Sequence, residues 1–101
     1  MKSKHSQVTS IQVGEFTVRA QYYWNKNRAI AIMKNGLPYA TLSINLNNDM
    51  EDDKFVLNHD VVRYPAAAHL LQSLLDSGHF ITTGEEMRFG SHKTPVWQYI
   101  E

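Results

Sequence analysis

The stretch from Arg28 to Leu46, RAIAIMKNGLPYATLSINL, decides the fold class. Within it Arg28 to Lys34 reads as a strand, with Ile30 and Ile32 on one face and Ala29, Ala31 and Met33 on the other. Asn35-Gly36 follows, the strongest short hairpin signal in the chain, because a type I′ turn needs positive φ at both central residues and these two tolerate it. Leu37 to Leu46 then forms the returning strand, with Leu42, Ile44 and Leu46 inward and Thr41, Ser43 and Asn45 outward. Pro38 has no N–H for a ladder, so the start of that strand belongs at a sheet edge.

Upstream, apolar residues alternate through Ile11 and Val13 and again through Phe16, Val18, Ala20, Tyr22 and Trp24. Their parity changes across Gly14-Glu15, which predicts a bulge or a turn. Residues 1–10 carry little to bury and are expected to form a flexible N-terminal arm, with residues 11–101 making a single domain. Downstream, the acidic Asn47 to Lys54 segment reads as a loop and Phe55 to Leu57 as a short strand, while Asn58 to Tyr64 is ambiguous. Pro65 suits the first position of a helix, Ala66 to Ser77 supplies good helix formers, and Gly78 fits the stop. Ala67, Leu70, Leu71, Leu74 and Leu75 make one apolar stripe, opposite His69, Gln72, Ser73 and Asp76. His79 to Thr83 and Pro95 to Ile100 read as two final strands, with Gly84 to Thr94 a long connection whose Gly84 to Gly90 part is expected to be a mobile loop. The expected class is α+β: an antiparallel sheet of about five strands with one amphipathic helix packed on one face.

Composition narrows the function classes. A chain of 101 residues that is 43% hydrophobic is globular in character. At this length folding buries about 60 to 65% of the unfolded surface, and a stability on the order of 5 to 10 kcal/mol is expected. Ten basic residues balance ten acidic ones, which removes the strongest argument for general nucleic-acid or anionic-membrane binding. The balance is uneven along the chain: residues 1–48 carry six basic side chains against Glu15, and the remainder four basic against nine acidic. With no cysteine, disulfides, thiolate metal sites and cysteine nucleophiles are excluded. Neither a transmembrane stretch nor a secretory signal is present, so the expected location is the cytoplasm.

No pattern of an active site emerges. The histidines at 5, 59, 69, 79 and 92 lack metal-ligand spacing, no serine sits in a nucleophile elbow, and Gly84 to Gly90 matches neither a P-loop nor a dinucleotide fingerprint. The expectation is a protein without catalytic residues, cofactors or metal. Two constellations remain as candidate partner-binding residues. The acidic run Asp49, Glu51, Asp52 and Asp53 would gain from a basic counter-surface, although a merely solvated loop has the same composition. The hairpin tip from Tyr22 to Arg28 sets Tyr23, Lys26 and Arg28 beside Trp24, a pattern that suits protein hot spots or single-stranded nucleic acid. Its structural alternative places Tyr22 and Trp24 in the core and Tyr23 over the sheet's other face.

The order of motifs resembles a small domain family of unassigned function found in bacteria, phages and other mobile elements. The matching pieces are the Arg28 to Met33 strand, Gly36 to Leu46, Phe55 to Asn58, the helix stop at Gly78, Thr83-Gly84, Gly90 and Pro95-Val96-Trp97. These cover about two-thirds of the chain and are structural in kind. The resemblance supplies no catalytic residues. It implies a phage or mobile-element accessory protein, cytoplasmic in the host, with anti-defence activity (anti-CRISPR or anti-restriction) exerted by protein binding on a host protein or nucleoprotein complex. The alternative is a single-stranded nucleic-acid-binding accessory protein.

Overall fold

The computed structural model describes residues 9–46 and 50–100. Most of the expected N-terminal arm and Asp49 of the acidic run lie outside the described residues. The chain is α+β, with two antiparallel sheets of four strands each. The first contains β1 (Thr9–Val13), β2 (Phe16–Tyr22), β3 (Arg28–Lys34) and β4 (Leu37–Thr41), in that spatial order. The second contains β5 (Ser43–Ile44), β6 (Lys54–Leu57), β7 (Phe80–Phe89) and β8 (His92–Tyr99), ordered β5-β6-β8-β7. Between β6 and β7 come α1 (His59–Val62), a 3-10 turn at Pro65–Ala67 and α2 (Ala68–Asp76).

The single sheet of about five strands is therefore corrected to two sheets, and the reason lies at Leu42. The returning strand breaks there into β4 and β5: the Leu42 N–H donates to Ile30 O, while the Ser43 hydroxyl accepts from Ile30 N. A side-chain oxygen thus satisfies the backbone of β3 where a continuous ladder would have done so, and the chain passes from one sheet to the other. Leu42 is completely buried at this crossing.

The Asn35-Gly36 turn has positive φ at both residues, 55° and 77°, as the hairpin reading requires. Gly14-Glu15 is a turn between β1 and β2, and β1 begins at Thr9, two residues before the expected start of order. Pro38 lies on β4, which has β3 as its partner and forms an edge. The long connection expected at Gly84 to Thr94, with a mobile loop at Gly84 to Gly90, is instead most of a β7–β8 hairpin. Alternation was obscured there because β7 is an edge strand with few apolar residues and a register shift between Thr82 and Glu86. That irregularity centres on Gly84, whose φ of 81° a glycine accepts without a Cβ clash.

Both sheets and the helices share one core. Phe16, Val18, Ile30 and Ile32 come from the first sheet, Phe55, Leu57, Phe80, Trp97 and Tyr99 from the second, and Leu70 and Leu74 from α2. The helix stripe divides: Leu70 and Leu74 are fully buried, whereas Leu71 and Leu75 flank the core half-buried. Leu74→Ala should therefore cost about 2 to 5 kcal/mol in urea denaturation, and Leu71→Ala clearly less, because its site can relax toward solvent.

Candidate functional site

The turn between β2 and β3 is braced from behind. Tyr23 N–H donates to Asn27 O at 2.8 Å and Lys26 N–H to Tyr23 O at 2.9 Å, with Lys26 at a φ of 72°. The Asn25 and Asn27 amides both donate to Asn45 Oδ1, and Asn27 Oδ1 accepts from Met50 N. The Tyr23 hydroxyl meets Ser43 Oγ at 3.0 Å. Polar side chains in a turn here do the work that a strand ladder does elsewhere, fixing the tip to the segment after β5.

Trp24 projects from this turn and is 84% exposed. The alternative that sent Tyr22 and Trp24 to the core is corrected for Trp24, since β2 ends at Tyr22 and the two-residue side-chain period ends with it. Two of the expected contact residues turn inward instead. Tyr23 is half-buried against Ser43, and Arg28, at the first position of β3, is only 2% exposed.

A buried guanidinium is costly unless it is paired and hydrogen-bonded. Arg28 Nε donates to Asp53 Oδ1 at 3.1 Å, and its guanidinium lies 4.2 Å from the Tyr22 ring centroid and 4.9 Å from that of Tyr99. The Tyr22 hydroxyl also reaches Asp53 Oδ1. Asp53 is thus part of the internal structure rather than a free member of the acidic run. Its neighbour Asp52 is exposed, as is Glu51. Asp52 and Asp53 both hold positive φ, and the segment is pinned to β8 by Gln98 Nε2 donating to Asp52 O and Tyr99 N–H donating to Asp53 O.

Together these groups line a recess of about 210 Å³ bounded by Tyr22, Lys26, Arg28, Met50, Asp52 and Lys54, with Asp53. The structure therefore brings Asp52 and Asp53 of the acidic run together with Tyr22, Lys26 and Arg28 of the hairpin, two constellations that sequence left separate. Its lip carries both signs of charge. Lys54, not singled out from sequence, reaches 2.9 Å from Glu85 in the β7 bulge. The hydrogen bond from Lys54, reinforced by its charge, holds the Glu85 carboxyl below its usual range, and Glu85 in turn holds the Lys54 ammonium above its own. Tyr99 was also missed as a site residue; its alternation marked a strand, but its stacking on Arg28 is long-range.

Among the described residues, no group of three or more histidine or acidic side chains could hold a metal ion. His59 and His92 stack with ring centroids 4.0 Å apart, His69 is exposed, and His79 Nδ1 contacts Ile100 O at 2.9 Å. No helix among these residues is long and apolar enough to cross a membrane.

Neutralising the two adjacent aspartates separates internal from surface charge. Asp53→Asn should lose about 1.5 to 3 kcal/mol in urea denaturation, the range for hydrogen bonds to charged groups, and Asp52→Asn should stay within about 0.5 kcal/mol. A depressed carboxyl stabilises the fold above its ordinary titration range and ceases to do so as pH falls through its lowered value. In a carboxyl NMR titration, Glu85 should accordingly protonate at lower pH than an ordinary glutamate, and Lys54→Met should return it to the usual range. Comparison with protein-family models, curated proteins and solved structures finds no match for this chain.

Proposed function

We propose that the chain is a small non-catalytic binding protein that engages a larger protein complex through the Trp24 hairpin and the adjoining Glu51-Asp52 turn. The observation that carries this reading is the 84% exposure of Trp24 on a turn whose backbone and asparagines are already fixed. A tryptophan carried on a fixed backbone spares the ordering of that backbone on binding and buries a large apolar area, which is how interface anchors act. Lys26 of the same turn and Asp52, which line one recess, supply charges of both signs for orientation. The resemblance noted above supports a partner of one class, a host protein or nucleoprotein complex of bacterial defence, met in the host cytoplasm and inhibited by occupation.

Single-stranded nucleic acid is the second reading, favoured by the same tryptophan and by Lys26. Asp52 weighs against it, because a phosphate tracking past Lys26 meets this exposed carboxylate in the same recess.

Affinity capture from a bacterial host lysate, with and without nuclease, separates the two. The expected result is a protein complex retained after nuclease treatment at moderate salt and lost with Trp24→Ala. Asp52→Lys should slow association while leaving the fold intact. Asp53 is unsuitable for this test, since changing it disturbs Arg28. Recovery of nuclease-sensitive material alone, with affinity falling steeply with salt, would replace the protein-binding reading by the nucleic-acid one.

A further inference from the structure

A second surface lies away from the Arg28 recess, where the free edge of β4 faces α1 and the start of α2. A groove of about 570 Å³ opens there, within the roughly 300–1,000 Å³ span of ligand clefts. Its apolar lining includes Ala40, Val61 and Leu70. Two tyrosines from different elements also line it, Tyr39 of β4 and Tyr64 from the turn after α1, exposed by 44% and 64%. Asp60 is the single charged side chain in the described lining. Asn58 sets the spacing between the walls: its amide donates to Thr41 O at the end of β4, and its Oδ1 caps α1 by accepting from Asp60 N.

Two tyrosine rings, one carboxylate, apolar neighbours and no cation in the described lining are complementary to a cation on an aliphatic stem. Tyr39 already shows this chemistry within the chain, with Lys34 Nζ 5.6 Å from its ring centroid. Asp60 contacts Arg63 Nε at 3.6 Å, but both side chains are largely exposed, 79% and 69%, and such a surface pair is easily exchanged. We propose that this groove is a recognition site for an arginine side chain carried on an extended segment of a partner protein, the stem lying along the apolar lining and the guanidinium meeting Tyr39, Tyr64 and Asp60. The site is independent of Trp24, and either surface can fail without the other.

The test uses the whole chain and a blocked Gly-Arg-Gly peptide, followed by amide and aromatic NMR shifts. Saturable changes centred on Tyr39, Asp60 and Tyr64 are expected, with a Kd on the order of millimolar for so small a probe. The same peptide with neutral citrulline in place of arginine should bind at least about fivefold more weakly. Tyr64→Ala should weaken binding by about three- to tenfold while Tyr64→Phe keeps it, and Asp60→Asn should weaken it similarly. Because Tyr64 is exposed, the Ala and Phe pair decides the matter even if Asp60→Asn perturbs α1. Equal binding of the citrulline peptide, shifts centred on Glu51 to Asp53, or no saturable response would overturn the proposal.

Discussion

Arg28 enters the interior at the point where the two sheets meet, and its guanidinium organises what surrounds it. It opens β3 of the first sheet, its carboxylate partner Asp53 directly precedes β6 of the second, and the flanking rings of Tyr22 and Tyr99 come from β2 and β8. Removing such a cation from water costs several kcal/mol, so the arrangement holds only while the partners are in place. That requirement fixes the base of the β2–β3 hairpin, the acidic turn and the end of β8 against one another. Of the four described non-glycine residues with positive φ, three, Lys26, Asp52 and Asp53, line this recess, so unfavourable backbone is concentrated where side-chain bonding over-determines the conformation.

The β4–β5 break does complementary work on the other side of β3. Leu42 plugs the core while Ser43 turns its hydroxyl to the β3 backbone and to Tyr23. Asn58 then ties β4 to α1 from the opposite direction, its N–H donating to Leu42 O and its amide to Thr41 O. One crossing therefore braces the Trp24 turn through Tyr23 and sets one wall of the Tyr39–Tyr64 groove. The two surfaces differ in character because the first has charges of both signs and the second has only Asp60 in its described lining.

The charge segregation along the chain does not carry over to the two sheets. The strands β1 to β4 carry Arg19, Arg28 and Lys34 and no carboxylate, whereas β6 to β8 carry Lys54, Arg88 and Lys93 beside Glu85 and Glu86. Arg28–Asp53 joins the halves at a buried position, whereas Lys34–Glu15 and Lys54–Glu85 each stay within their own sheet and are more exposed.

The sequence by itself determined what local rules govern. Asn35-Gly36 demanded a tight hairpin, Pro38 an edge, Pro65 and Gly78 the two ends of a helical segment, and the leucine spacing a buried stripe, because each depends on backbone sterics or on a period within one element. Tertiary structure decided the division into two sheets, because the choice at Leu42 turns on whether Ile30 is satisfied by a ladder or by the Ser43 hydroxyl. It decided the β7–β8 hairpin too, whose charged edge strand carries no alternating apolar signal. The candidate site was legible only in pieces. Acidic run and hairpin tip were visible as residue types, but whether Asp53 faces water or a buried guanidinium depends on a pairing between residues 25 positions apart, and no local pattern encodes such a contact.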